Sequence, residues 1–495
     1  MQNSSPDINT MSLSRRQFLV LTLQLLALSN LPGCPVSPPV VGKNPIKNPL
    51  TVENHSRALA RWAELGIRNA VLVNIDTHDD FRWIPDSKIE ALHEIYRRRD
   101  WQRFSSVDTV AKEGLYHIGN WIYAGARLGI FKKVYWVMPY NFSGKIPDTA
   151  LREFLKESKF RDEDIRTFSL SGNQFNGSYY GIPVTVCGIE SLPTITEPLL
   201  LSIDTDFFPT YGDEFRMDFL SSLQVLFEAL FRKNYQVQEA VVSYSVNGDF
   251  LHPHLRWVGD WIVMLLKNPG MIRENHSEMT TLLQRLEYAY RDMNAAELLS
   301  LTQNYQAGNP TASLSLYKAY GHKLQGDHDN AFEAAVAGCR VDSRYCSGLA
   351  FMAKAYYLKD QHKMAEKFFR AAYAGNPDMQ YELFHYANCL RELGRFEEAI
   401  AYFKKAASID GSFAPDFMIF ATYLEMGDRQ AAVIAVKNAA DSLEKDVYAD
   451  VTNKAVSDSI YAALDFCSKN GINAISARLR NNPAIIKMFR DFPRQ

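Results

Sequence analysis

The sequence predicts an α/β fold: a three-layer domain with a parallel sheet between helices, followed by an all-α solenoid of repeats. Three observations carry this. Apolar, β-branched segments alternate with helical patterns through the middle of the chain. Two of those segments end in clusters of ionisable side chains. In the last third, alanines recur at nearly constant spacing, with the composition of paired helices.

The strand candidates are AVLVNID (70–76), KKVYWVMP (132–139), GIPVTVCGI (181–189), PLLLSID (198–204) and EAVVSYS (239–245). Nearly continuous apolar runs of this length fit strands buried on both faces, as in a parallel sheet. Helical patterns lie between them. SRALARWAELG and DSKIEALHEIYRRR place their apolar residues on one face, the second starting on an Asp/Ser cap. GLYHIGNWIYAGARLGI and DEFRMDFLSSLQVLFEALFRK read as further helices. In such sheets ligands bind beyond the carboxyl ends of the strands.

The chain of 495 residues is long enough for two or three domains. A net charge of −2 gives no basis for nucleic-acid binding, and membrane association is confined to the N-terminal segment. Six scattered cysteines without a C-x-x-C pair form neither a zinc motif nor a disulfide framework. All but Cys34 are expected in cores.

Ser14-Arg15-Arg16-Gln17-Phe18-Leu19 resembles the twin-arginine export signal, and the apolar stretch after it is short for a span of about 20 residues. Leu31-Pro32-Gly33-Cys34 resembles a lipobox, although its prolines depart from the usual small residues. Met11 is an alternative start. The resemblance implies export to the periplasm or cell envelope, with Cys34 as a candidate lipid anchor. PVSPPVVGKNPIKNP then reads as an extended tether.

The first acidic cluster is Asp76-Thr77-His78-Asp79-Asp80 and the second Asp204-Thr205-Asp206. Helix capping needs one Asp, not several ionisable groups together. A pair of divalent ions shares some carboxylates and has separate terminal ligands for the rest. Asp76, His78, Asp80, Asp204 and Asp206 therefore stand out as metal ligands, and hard oxygens with an imidazole suit Mn²⁺. Asp79 is expected behind them. Asp213 and Glu214 read equally well as acids at a helix start.

D-x-H-x-D followed by S-x-D-x-D resembles the paired metal motifs of the arginase/ureohydrolase superfamily. HDDF, HIGNWI, VYWVMP and IDTDFF, in that order, resemble an arginase-like family that includes peptide arginases. The resemblance covers residues 65–265. It implies a three-layer arginase-like fold and two Mn²⁺ ions, with Asp76 and Asp204 bridging. His78 and Asp206 would hold one ion and Asp80 the other. The family takes a further histidine from an upstream glycine-flanked motif. Upstream here stands only His55, with no glycines around it, so His117 is taken as the sixth ligand. Asn120 would share its helical face and touch water or substrate. His252 and His254, after the last strand, are candidate proton shuttles to the leaving group, and Asp249 a candidate for a cationic substrate. The implied chemistry is hydrolysis at a trigonal carbon, a guanidinium in an arginase or an amide in a deacetylase.

In the C-terminal third Ala331, Ala365, Ala399 and Ala432 take equivalent places, each five residues after Gly326, Asp360, Gly394 and Gly427. This period resembles the tetratricopeptide repeat, in which glycine serves the turn and alanine the close helix contact. Such arrays bind peptides or proteins. The expected organisation is therefore signal (1–34), tether (35–50), metal-binding α/β domain (51–300), repeats (301–445) and capping helices (446–495). A non-catalytic exported assembly scaffold is the rival to the hydrolase.

Overall fold

The computed structural model describes residues 45–491, apart from 111–112, 141–147, 159, 274–277, 305–310, 411, 446–450 and 452. The export signal, Cys34 and most of the tether lie outside the described residues. The end of the tether does not hang free: the Ile46 amide donates to the Leu266 carbonyl, and its side chain packs on the core.

Eight strands form one sheet. They are β1 (Leu50–Val52), β2 (Ala70–Ile75), β3 (Phe131–Val137), β4 (Ser169–Ser171), β5 (Gln174–Tyr179), β6 (Ile182–Cys187), β7 (Leu199–Asp204) and β8 (Val237–Ser243). Their order is β1-β8-β7-β2-β3-β6-β5-β4. The five expected strands are present and parallel. β1 adds a parallel edge, but β5 and β4 run antiparallel, so the sheet is mixed. The cause is local. Tyr180 and Gly181 both take positive φ between β5 and β6, and a two-residue link with that twist can only make a hairpin.

β2 and β7 are buried along their whole length. Period-two alternation divides their side chains between two cores. Val71, Val73 and Ile75 face one side with Leu199, Leu201 and Ile203; Leu72 and Leu200 face the other. Helices Arg57–Glu64, Asp86–Arg98 and Trp121–Arg127 cover the second side. Phe219–Lys233 and Arg256–Lys267 cover the first. The helix expected across 213–233 is broken at Arg216, whose φ is 54°, and restarts where Asp218 caps the Ser221 amide.

The first core continues without a break into the C-terminal helices. Glu278–Arg291 and Ala295–Asn304 lead to four helix pairs. These are Ala312–Leu324 with His328–Val341, Cys346–Tyr357 with His362–Gly375, Leu383–Glu392 with Phe396–Asp410, and Ala414–Glu425 with Arg429–Lys445. The four equivalent alanines are fully buried. Gly326, Gly394 and Gly427 have positive φ, and Asp360 takes the same conformation at 58°. Lys454–Lys469, Asn473–Asn481 and Pro483–Asp491 follow. One expectation fails here: Cys339 and Cys346 are joined by a disulfide between successive helices. Gly375 lies so close that a Cβ would collide with both sulfurs. Cys187, Cys389 and Cys467 are free and buried.

Candidate metal centre

Parallel pairing sets Ile75 beside Ile203, so the chains leaving β2 and β7 run side by side. Asp76 and Asp204 thereby become neighbours at the carboxyl end of the sheet, essentially without solvent exposure. The turn after β2 is tied by the His78 amide donating to Asp76 Oδ1 at 2.7 Å. The turn after β7 repeats the device, with the Asp206 amide on Asp204 Oδ1 at 3.1 Å. Asp80 follows with positive φ, which turns its carboxylate back toward Asp76.

The sixth ionisable group is His55. It lies just past β1, where the chain crosses toward the helix Arg57–Glu64. Its Nε2 is 2.5 Å from Asp80 Oδ2, and its Nδ1 is 3.3 Å from both Asp76 Oδ2 and Asp204 Oδ2. Nδ1 makes no aligned hydrogen bond to either. On the other side His78 Nδ1 is 2.9 Å from Asp206 Oδ2 and 3.7 Å from Asp76 Oδ1. Among the described residues, two sets of ligand atoms converge to within 4.8 Å: His55 with Asp76 and Asp204, and His78 with Asp76 and Asp206. Asp76 belongs to both.

Supporting residues hold the remaining lone pairs. Ser245 Oγ donates to Asp204 Oδ2 at 2.6 Å, Asn74 Nδ2 to Asp76 Oδ2 at 3.2 Å, and Trp121 Nε1 to Asp80 Oδ2 at 3.0 Å. Ser56 Oγ and the Arg57 guanidinium both engage the buried Asp108, which fixes the turn carrying His55. Asp79, expected behind the ligands, accepts from the Phe81 amide, and burial raises it to about 6.

Burial and mutual proximity shift most of the cluster's titratable groups. Burial, with Asp80 beside it, raises Asp76 to about 6. Burial, Asp206 and Asp76 push Asp204 well above the ordinary carboxylate range. Burial opposes charge on His55, but Asp80, Asp76 and Asp204 together raise it to about 10. Burial likewise opposes charge on His78, and Asp206 and Asp76 raise it. Burial also opposes ionisation of Asp80, yet His55 keeps it below its usual value. Both shifts favour the protonated imidazole, so His55 and His78 place positive charge beside the carboxylates. A set of hard oxygens and two imidazoles, with the Asp206 carboxylate accepting no aligned hydrogen bond, fits divalent ions of the Mn²⁺ type.

The other candidates fall elsewhere. His117 lies in a turn before the helix Trp121–Arg127, not on it. Its amide donates to Asn120 Oδ1 at 2.7 Å, and its Nδ1 accepts from the Gly119 amide. Burial and Arg82 lower it to about 4. His117 is outside both converging sets, and Asn120 is engaged in closing that turn. His55, not His117, is the histidine that lies beside Asp76, Asp80 and Asp204. His254 is fully buried, with Nε2 3.1 Å from Glu287, and its ring packs among Tyr290, Tyr317 and Tyr320. His252 stacks on His254 and meets Phe351 edge-on. Both histidines join the sheet domain to the repeats. Asp249 is bound by Lys354 and Tyr381. The Arg291 guanidinium approaches Asp213 at 3.7 Å, remote from the cluster. Ser245, Asn74 and Trp121 carry no local sequence signal that would single them out.

The family model of the tetratricopeptide repeat matches residues 380–413. Superkiller complex protein 3 of Mus musculus is 28% identical over 130 residues, which is 26% of this chain and 8% of that protein. The chain thus matches only a small part of that relative's length. Among solved structures, MamA of MSR-1 is 18% identical, covering 34% of this chain and 97% of that chain, at a TM-score of 0.26. MamA of AMB-1 is 20% identical, covering 32% and 96%, at 0.25. The C-terminal part of this chain is a tetratricopeptide repeat solenoid, the class of module that mediates protein–protein interaction.

Proposed function

We propose that the chain is a metal-dependent, arginase-like hydrolase of a C–N bond, acting on arginine within a peptide or protein to leave ornithine and release urea. The observation that supports this most is the convergence of His55, Asp76, His78, Asp80, Asp204 and Asp206 at the carboxyl ends of two adjacent parallel strands. His55, Asp76, Asp80 and Asp204 would hold one Mn²⁺, and His78, Asp206 and the shared Asp76 and Asp204 the other. When bound, such a pair activates water and polarises the carbon under attack. The chain's own residues do the rest. Ser245, Asn74 and Trp121 orient three carboxylates, and the packed strands exclude bulk water from Asp76 and Asp204. His78, whose side chain is 35% exposed, is the open side of the cluster, so substrate approaches there. The repeats would present a polypeptide substrate. Amide deacetylation at the same donor set is the close alternative.

Export by the twin-arginine route, to the periplasm or envelope, is part of this reading. The Cys339–Cys346 disulfide supports it, because disulfides persist in oxidising compartments. A second reading, a non-catalytic scaffold, is favoured by the repeat match alone.

Elemental analysis of the purified chain tests the first reading, followed by urea release from arginine-containing peptides. About two Mn per chain with urea release is expected. No bound metal after incubation with Mn²⁺ would exclude the hydrolase and leave the scaffold.

A further inference from the structure

The loop from Ser245 to Leu251 touches the candidate metal centre at both ends of its turn. Ser245 Oγ holds Asp204, and the Phe250 ring meets His78 edge-on, 4.9 Å between centroids. Phe250 is 47% exposed although it is a large apolar side chain. Its place is set by the loop backbone. Ser245 and Asp249 have positive φ, and the amides of Asp249, Phe250 and Leu251 donate back to Val246 and Ser245. Gly248 lies under the Phe250 ring, where a Cβ would clash.

The sheet domain does not hold this loop alone. Asp249 Oδ2 accepts from Lys354 Nζ at 2.9 Å, and Asp249 Oδ1 from Tyr381 OH at 2.8 Å. Lys354 is fixed in turn by Glu382 at 2.7 Å, and Glu382 by His385 at 2.5 Å. Tyr381 and Glu382 are nearly buried. These four partners come from the second and third repeats. A second contact lies on another loop at the same end of the sheet, where Thr109 Oγ1 donates to the Ile409 carbonyl of the third repeat at 3.3 Å.

We propose that the repeats are part of the metal centre's entrance: Lys354 and Tyr381 are positioning residues that clamp Asp249 and so seat Phe250 against His78, where substrate enters. The proposal rests on the hydrolase reading for its consequence, though not for the clamp itself. Lys354 is 16% exposed and held by Glu382, so its ammonium is fixed in place, while the Asp249 carboxylate that it grips is 46% exposed on the rim. Loss of the clamp releases the rim and leaves the ligand cluster intact, since no ligand touches Lys354 or Tyr381. The expected result is weaker substrate capture with unchanged metal content.

The experiment uses the full chain and the variants Lys354→Met, Tyr381→Phe and Lys354→Arg. Hydrogen exchange of the Asp249, Phe250 and Leu251 amides is read by mass spectrometry. Exchange should rise about tenfold in Lys354→Met and Tyr381→Phe, stay near wild type in Lys354→Arg, and remain unchanged in β2 and β7. Mn²⁺ stoichiometry should be equal in all four proteins. With an arginine peptide, KM should rise several-fold in the first two variants with kcat little changed, and Lys354→Arg should rescue it. Equal loop exchange in wild type and Lys354→Met would overturn the clamp, whatever the chain's activity. A chain that binds no Mn²⁺ but shows the exchange difference overturns the hydrolase reading and keeps the clamp. A global rise in exchange marks unfolding of Lys354→Met, and Tyr381→Phe, which removes one hydroxyl, then decides.

Discussion

The carboxyl end of the sheet and the repeat solenoid solve opposite problems. At the sheet end, four carboxylates and His55 are buried together with the half-exposed His78, and burial and the neighbouring carboxylates push Asp76 and Asp204 up. In the solenoid, burial is assigned to Ala331, Ala365, Ala399, Ala432 and aromatic rings, while charges such as Arg395 with Glu366 and Glu398 pair near the surface. The solenoid is self-consistent as it stands. In the cluster, burial opposes the charge of the carboxylates, and this contrast is what motivates the metal proposed above. An arrangement that costs stability by itself and is nevertheless tied by Ser245, Asn74 and Trp121 is a candidate site by its physics, whereas the solenoid's burial is ordinary packing.

The comparison breaks first at the ligands. Asp76→Ala or Asp204→Ala should abolish bound metal while circular dichroism of the repeats is unchanged; full metal content in both variants would refute the assignment. His55→Ala should lower Mn²⁺ content, and His117→Ala should leave it at the wild-type value. Equal loss in the two histidine variants would return His117 to the ligand set.

Only the sheet domain should gain stability from metal. Saturating Mn²⁺ at about 100 times its Kd should stabilise the sheet domain by about 3 kcal/mol, seen as a calorimetric shift that a chelator reverses. The sign of the pH effect follows from the shifts. In the metal-free chain, raised Asp76 and Asp79 add stability below pH 4 that is lost as pH rises through about 6. His55 continues the loss from 6.5 toward about 10. Metal-free chain should therefore melt lower at pH 8 than at pH 5, and Mn²⁺ should reduce or reverse that slope.

The solenoid should be insensitive to metal and sensitive to packing. Ala399→Leu should destabilise it by about 2 kcal/mol through overpacking, read by denaturant titration. Reducing Cys339–Cys346, which closes a short loop, should cost a similar amount, about 2 kcal/mol. The smallest effect is at the turn. Asp360→Gly should be stabilising by about 0.5 kcal/mol, because the aspartate already sits in the left-handed conformation.

The sequence alone was enough for the five long parallel strands, because their apolar runs are unbroken and their ends carry charge. It was enough for the repeat period, since Gly-x4-Ala reports a turn and a helix contact local to each repeat. It also picked out five of the six converging side chains, all of which belong to two short motifs. β4 escaped notice because it is three exposed residues, and β5 because QFNGSY is polar and half-exposed and its hairpin with β6 depends on the backbone at Tyr180 and Gly181. The Cys339–Cys346 pair was hidden by its spacing, which only the angle between two helices makes bondable.

Tertiary structure alone decided the sixth group. His55 is far from Asp76 in sequence and has no motif, but β1 pairs with β8 at the sheet edge, and the chain then crosses the strand ends above β7 and β2. His117 stands in the family-like segment HIGNWI, yet its turn is closed by Asn120 and Gly119. The same is true of His252 and His254, whose loop the solenoid packs into an aromatic and acidic seam. Motifs within a few residues are written in the chain because local backbone geometry fixes them. Contacts between distant segments are set by strand order and packing, which no short stretch encodes.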